Sequence, residues 1–294
     1  MNLSDFNIAT PSIEEIINLE QIDKDIFRGS GADSPLPRTY GGQVAAQCLS
    51  AATKTVEDDK IVHSLHGYFV RPGQSSRDTV FLVERVRDGR SFATRVVHAI
   101  QDGEIIFTMS ASFHITDDQG IEHSDRMREV VPPEEALPLE KTGGELRFFS
   151  LWSQDWDVLV VPDDKFEHNP YTPSQQVVWF RSKRQLPDDQ TFHICTLAYM
   201  SDLTLLHSAM VPHRDEQVQM ASLDHAMWFF RDFRADDWLL YDQVSPSAHG
   251  ARAMATGRIF DRAGNLVAMT TQEGLTRSLA AGKQSIPVKT EFER

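Results

Sequence analysis

Three polar residues stand where an apolar one would serve a fold equally well. Asp202 lies in YMSDLTLLHSAM (Tyr199 to Met210), Ser222 opens SLDHAMWFF, and Gln272 precedes Glu273-Gly274 in VAMTTQEGLTR. A carboxylate can accept a proton as a general base, a hydroxyl can orient a water, and a Gln amide both donates and accepts, so it can hold a water or a carbonyl in one orientation. Taken singly, each has an ordinary explanation: a solvent-facing Asp, a buried Ser in a strand, a surface Gln at a strand end. The adjacent pair Asp224-His225 falls on opposite faces of a strand and cannot meet directly, so structural roles are expected for both.

An internal repeat singles out the three. The helix-like stretch GGQVAAQCLSAATKTV (Gly41 to Val56) is followed by Tyr68-Phe69-Val70-Arg71 and then a turn at Asp102-Gly103. In the second half YMSDLTLLHSAM is followed by Trp228-Phe229-Phe230-Arg231 and a turn at Ala263-Gly264. Gly42 to Arg71 spans 29 positions and so does Asp202 to Arg231; Arg71 to Gly103 is 32 and Arg231 to Gly264 is 33. One helix plus a run of strands, stated twice, implies two copies of one unit packed together. At an offset of 160 to 161 the counterparts of Asp202, Ser222 and Gln272 are Gly42, Val62 and Ala111. None of those has a side chain that orients water. The first half instead offers Gly41 and Gly42, whose N–H groups at a helix start suit a carbonyl oxygen or an anion. His66 and Arg71 lie near a strand end where phosphates could be met. A tight turn at the glycines, and a brace at Arg71-Pro72-Gly73, are the alternative readings.

Composition bounds the function. At 294 residues, 40% hydrophobic and 24% charged, the chain reads as a globular protein of about two domains. A net charge of −14 argues against nucleic acid, although a local basic cluster can still bind an anion. No apolar run in the sequence approaches the ~18 residues of a membrane span. The acidic N-terminus is unlike a secretory signal and the final Glu-Phe-Glu-Arg is unlike a peroxisomal address, so a cytoplasmic setting is expected. Cys48 and Cys195 each sit in an apolar helical stretch and read as buried free thiols. There is no G-x-S-x-G elbow, H-E-x-x-H, phosphate-binding P-loop or zinc-spaced Cys pair.

The elements that must position these residues follow from periodicity. Residues 12–22 read as a short amphipathic helix with Ser12 as N-cap, 25–28 as a strand, and 30–39 as a Pro/Gly-rich loop. Gly41 to Val56 is a small-residue-rich, buried helix. Strands at 61–70, 78–88, 91–101 and 104–115, joined by Arg-Pro-Gly and Asp-Gly turns, wrap it as a meander. A helix wrapped this way is the hotdog arrangement. Residues 117–169 are rich in Pro and acidic side chains, with one helical piece at 144–152, and read as a crossover. A strand at 176–181, a second long helix at 188–207, and strands at 220–230, 238–248, 251–260 and 266–277 repeat the pattern, before a polar tail from Ala280. The fold expected is α+β, a double hotdog: residues 1–116 a scaffold unit, 117–170 a crossover linker, and 171–294 the unit with the catalytic-looking groups.

The segments FRG (27–29), YGGQVAAQ (40–47), VHSLHGYFVRPG (62–73), RDGRSFATR (87–95), SDLTLL (201–206), SLDHAMWFFRDF (222–233), WLLY (238–241) and TQEGL (271–275), in this order, resemble the acyl-CoA thioesterase II group of double-hotdog enzymes over nearly the whole chain. The resemblance implies hydrolysis of fatty acyl-CoA to free acid and CoA, with the family's Asp, Thr or Ser, and Gln falling on Asp202, Ser222 and Gln272. It implies Asp202 as general base, no covalent acyl-enzyme, and no metal or redox cofactor. Acyl-CoA is the expected partner, met in part by Gly41, Gly42, His66 and Arg71; no nucleic acid or membrane partner is expected, and a homo-oligomer is. An enoyl-thioester hydratase or dehydratase, and a non-catalytic acyl-CoA-binding protein, are the alternatives.

Overall fold

Alternation of buried and solvent-facing residues builds the strands, and it is sharpest in two matching places. Phe92–Gln101 and Arg252–Asp261 each bury every second side chain, as strands with one face on a core do. A computed structural model describes residues 11–31, 34, 36, 38–139 and 152–279. The expected helical piece at 144–152 falls, apart from Trp152, outside the described residues, as do the tail from Ala280 and part of the loop at 30–39.

The chain runs through α1 (Ile13–Ile17), β1 (Glu20–Asp23), β2 (Ile26–Gly29), α2 (Gly41–Thr53), β3 (Lys60–Phe69), β4 (Thr79–Asp88), β5 (Phe92–Gln101) and β6 (Glu104–Ile115). It continues through β7 (Leu137–Pro138), β8 (Trp156–Val160), β9 (Gln175–Ser182), α3 (Gln190–Ser201), β10 (Val218–Ser222), β11 (Asp224–Phe229), β12 (Leu239–His249), β13 (Arg252–Asp261) and β14 (Leu266–Ser278). Ser12 caps α1 in a capping box with Glu15. That helix stops at Asn18, earlier than the expected 22, because the chain turns into β1. Asp102 (φ 50°) and Gly103 (φ 79°) turn β5 into β6 with both residues in the left-handed region, as a type I′ hairpin requires.

The fourteen strands among the described residues join one antiparallel sheet in the order β1-β2-β4-β5-β6-β3-β11-β14-β13-β12-β9-β8-β7, with β10 beside β14. Read outward from the β3–β11 seam, the two sides mirror each other. Along the seam His66 faces Ala226, Leu65 faces Met227 and Gly67 faces His225. Since 226 − 66 = 160, His66 pairs with its own counterpart, and the flanking pairs exchange; a pseudo-twofold axis therefore crosses the seam there. The segment read as a crossover is more than a linker, since β8 pairs with β9 and extends the sheet.

The helices depart from the expectation of two equivalent long rods. α2 packs on β2 through β6. The segment at the same offset, residues 201–213, is not a continuation of α3 but a 3₁₀ stretch, Leu206–His213, which packs on β9, β12, β13 and β14. Contrary to the expectation that no stretch approaches a membrane span, Gln190–His213 is long and apolar enough to cross a bilayer by composition, yet 78% of its most apolar part is buried inside the protein, as befits a core element. Cys48 and Cys195 are free and buried, and burial pushes the Cys195 thiol up to about 12.

Candidate active site

α3 ends at Ser201 because its last carbonyls are taken by side chains from outside. The Tyr40 hydroxyl donates to Tyr199 O at 2.8 Å and the Tyr241 hydroxyl to Ser201 O at 2.9 Å. Both satisfy acceptors that a helix C-terminus leaves open. Burial raises both phenols, further from ionisation and firmly in the donor role. Asp202, expected inside a helix, is thus its C-cap residue (φ −81°, ψ −15°), half-buried at a helix break.

The start of α2 meets it end-on. Gly42 N–H donates to Asp202 Oδ2 at 3.0 Å. Two peptide dipoles act there in opposite senses: the positive end of α2 favours the carboxylate and the negative end of α3 opposes it. The tyrosine caps blunt the second. A Cβ on Gly41 would lie 2.6 Å from Asp202 Oδ2, and one on Gly42 would collide with the Tyr199 carbonyl oxygen, so both positions need glycine for close approach. Gly42 and Asp202 differ by 160 in number, so they too are counterparts meeting near the axis.

Asp202, Ser222 and Gln272 come together as a closed set. Ser222 Oγ donates to Asp202 Oδ1 at 2.9 Å, and Gln272 Nε2 donates to Asp202 Oδ1 at 2.6 Å and to Ser222 Oγ at 2.5 Å. Ser222 ends β10, opposite Gly274 of β14, while Gln272 sits deep in β14 opposite Ala255 of β13. Gln272 is fully buried, so it acts from behind the other two rather than from the cleft wall.

Asp202 and Ser222 line a cleft of about 370 Å³. Its walls are largely apolar (Val44, Phe69, Ile106, Leu203, Leu206 and Met220 among them), and Arg38 and Arg71 are also in its lining. Such a site, apolar with a few convergent polar groups, is suited to a ligand with a hydrocarbon part and one reactive polar centre. Burial pushes His207, also in the lining, down to about 4, an effect the nearby Asp202 carboxylate partly offsets, so it is neutral at pH 7.

The substrate-binding residues expected from sequence separate. Gly41 is in the cleft lining, and its N–H has no partner among the described residues; the Gly42 N–H is already given to Asp202. Arg71 is in the lining, but its guanidinium donates to Ile105 O at 3.0 Å and pairs with Glu104 at 3.0 Å. His66 is not in the cleft: it lies on the outer sheet face, exposed, edge-on to Trp228 with ring centroids 5.1 Å apart. Its expected place at a phosphate-binding strand end fails because alternation along β3 turns it to the side opposite the helices. Arg38 and Tyr40 went unnoticed in the sequence, although a basic residue just before Tyr40-Gly41-Gly42 was a usable signal. As expected, Asp224 and His225 do not pair: Asp224 Oδ1 accepts the Glu273 N–H at 2.7 Å, and His225 turns inward.

Known proteins carry the same arrangement of segments. A family model described as acyl-CoA thioesterase matches residues 151–275, and one described as acyl-CoA thioesterase N-terminal domain matches 32–114. Human acyl-coenzyme A thioesterase 8 is 38% identical over 90% of this chain and 88% of its own length. Acyl-CoA thioesterase 2 of Haemophilus influenzae is 36% identical over 89% and 96%. Among solved structures, acyl-CoA thioesterase II TesB2 of Mycobacterium marinum superimposes with a TM-score of 0.83 at 52% identity, covering 92% of this chain and 99% of that one. A hot dog fold protein from Alicyclobacillus acidocaldarius, 21% identical, shares the fold with a TM-score of 0.76, covering 92% of this chain and 100% of that one.

Proposed function

The chain belongs to the acyl-CoA thioesterase II family and is an acyl-CoA thioesterase, and from that premise we propose that it hydrolyses fatty acyl-CoA through one water held by Asp202, Ser222 and Gln272. The observation that carries this reading is the closed hydrogen-bonded set of those three side chains beside an apolar cleft, with the start of α2 backing the carboxylate.

Water entering the cleft meets Asp202 and Ser222 and takes the place the three side chains now fill by bonding one another. Asp202 accepts its proton as the hydroxide equivalent attacks the thioester carbon. Ser222 Oγ, held between Asp202 and Gln272, orients the water and is not itself the nucleophile, because its hydrogen bond leads to a carboxylate already engaged and not to a histidine base. The Gly41 N–H at the α2 start is the donor available to the developing oxyanion, where a preorganised donor is worth most. The carbon–sulfur bond breaks, the CoA thiolate takes the proton that Asp202 holds and leaves as the thiol, and the free acid remains. Arg38, with no partner among the described residues, and Arg71, held by Glu104, serve the phosphates of CoA, while the apolar walls take the acyl chain.

The same proposal assigns residues 1–116 to a scaffold hotdog and 171–294 to a catalytic one, joined through 117–170, in a reducing cytoplasmic setting and a homo-oligomer. Release of free CoA from a saturated acyl-CoA tests it. A hydratase or a binding module releases none, and either result would replace this reading.

A further inference from the structure

Behind the three side chains of the site lies a fourth polar group that the reaction itself does not require. Resting on the hydrolytic reading above, we propose that His225 is a positioning residue: its Nδ1–H donates to Gln272 Oε1 and so aims the Gln272 amide at Asp202 and Ser222.

The argument starts from two unsatisfied atoms. His225 is 1% exposed and Gln272 is fully buried, and neither His225 Nδ1 nor Gln272 Oε1 has a hydrogen-bond partner. β11 and β14 are paired so that Ala226 faces Thr271; one step further along, His225 stands opposite Gln272, both on the inward face. Burial lowers the imidazole, and a hydrogen bond from its ring to the Gln272 side chain acts in the opposite sense. Buried polar atoms that face each other as donor and acceptor are a pair waiting to be made.

The protons can be assigned by elimination. Asp202 as a carboxylate only accepts, so the Gln272 atom 2.6 Å from Oδ1 must be Nε2, and Oε1 must point away from it. An imidazole nitrogen facing that Oε1 with a lone pair would repel it, whereas an N–H attracts it. The ring proton therefore sits on Nδ1, leaving Nε2 as an acceptor. Ser201 Oγ lies 2.7 Å from Nε2, closer than its 3.0 Å to Ala198 O, and supplies the proton. Burial holds His225 below the ordinary imidazole range, so the ring stays neutral and keeps one definite tautomer at working pH. Ser201, His225 and Gln272 then form a chain that ends on the reacting groups.

The first half shows that the fold itself has no need of this histidine. In β3 and β6 the equivalent pair is Leu65 opposite Ala111, both buried. Hydrocarbon fills the place where there is no amide to aim.

Two isosteric substitutions separate the two ring nitrogens. Asn at 225 carries its amide near the Nδ1 position and Gln near Nε2. His225→Gln should lower kcat for acyl-CoA hydrolysis by about 10- to 100-fold, the range usual for an outer partner that orients a catalytic group, with KM within a few-fold. His225→Asn should recover most of that loss, and in a Gln272→Ala background the Asn and Gln variants should differ little. Equal losses in both variants, or losses that multiply with Gln272→Ala, would overturn the proposal. The ¹⁵N shifts of the wild-type imidazole provide a reading that needs no variant: a proton on Nδ1 is expected, and one on Nε2 sinks the idea. Failure of the hydrolytic reading looks different, as wild-type protein would then release no CoA while the tautomer could still be read.

Discussion

The two halves of this protein are the same strands around opposite interiors. β5 and β13 share boundaries at an offset of 160, and the seam pairs each half with its counterpart residue. Position by position, however, hydrocarbon in the first half becomes polar in the second: Val62 becomes Ser222, Leu65 becomes His225, Phe81 becomes Tyr241, Met109 becomes Thr270 and Ala111 becomes Gln272. Apart from Ser222, which is half-buried at the cleft, the polar set is buried as deeply as the apolar one. Tyr241 bonds Ser201 O and Thr270 Oγ1, Ser201 bonds His225, and Gln272 bonds Asp202 and Ser222. Buried polar groups stabilise nothing unless their partners are in place, so the second half carries a network a fold alone would not select. The first half keeps an ordinary core and contributes cleft lining, with the glycine start of α2 set against Asp202. On the proposed reading a duplicated unit has specialised, with one copy as scaffold and the other as the site of reaction.

The largest effect should come from the carboxylate. Asp202→Asn keeps the shape and removes the base, and kcat for acyl-CoA hydrolysis should fall by roughly 10²–10⁴-fold. Activity within a few-fold of wild type would put the chemistry elsewhere and dissolve the contrast between the halves. Next, Gln272→Ala installs the residue the first half carries at that place and deletes both amide donors, so a loss of about 10²–10³-fold in kcat is expected, as for other preorganised donors. Ser222→Thr retains the hydroxyl and should hold most of the rate. Labelled acyl groups trapped on Ser222 would show that the second half uses a covalent route.

Gly42→Ala probes what the first half contributes. Its Cβ would collide with the Tyr199 carbonyl, so the α2 start must shift away from Asp202, with about 1–3 kcal/mol of stability lost by the usual measure of overpacking. Denaturant unfolding and kcat should both drop; unaltered kcat would mean the helix start does not hold the carboxylate. At the cleft, Arg38→Ala should raise KM for acyl-CoA more than Arg71→Ala, since the Arg71 guanidinium is already shared with Glu104 and Ile105 O. The reverse order would reassign the phosphates.

The smallest effect is on stability against pH. His207 binds a proton in the folded protein only near pH 4, against about 6.5 when unfolded. Between those values the unfolded chain holds the extra proton, so stability present above pH 6.5 is lost as pH falls toward 4. His207→Gln copies Gln47, its counterpart in the first half, where the amide donates to Ile16 O. Urea unfolding at pH 7 and pH 5 should show a shallower loss in that variant; an unchanged slope would remove His207 from the balance.

Strand positions were legible because alternation is local. β3, β4, β5, β6, β12, β13 and β14 lie within one or two residues of where the pattern puts them. β1, β7 and β8 escaped notice: all four residues of β1 are exposed, β7 has only two residues, and β8 sits in acidic, Pro-rich chain. The second helix was drawn too long for a related reason, since apolar composition continues past Ser201 while its end is imposed by Tyr40 and Tyr241 from elsewhere in the chain.

By itself the amino-acid sequence determined the repeat, the offset between its copies, and which three residues break the apolar pattern in one of them. Those are properties of spacing and residue type, and they survive any arrangement in space. Tertiary structure alone decided that counterparts meet across the seam, so that Gly42 of one copy reaches Asp202 of the other. It decided that Gln272 is buried behind Asp202 and Ser222, that His66 faces outward, and that His225 comes to stand across from Gln272 on paired strands. Contacts of that kind depend on how the two halves of one sheet and two helix ends pack about a common axis, a long-range consequence that no local periodicity contains.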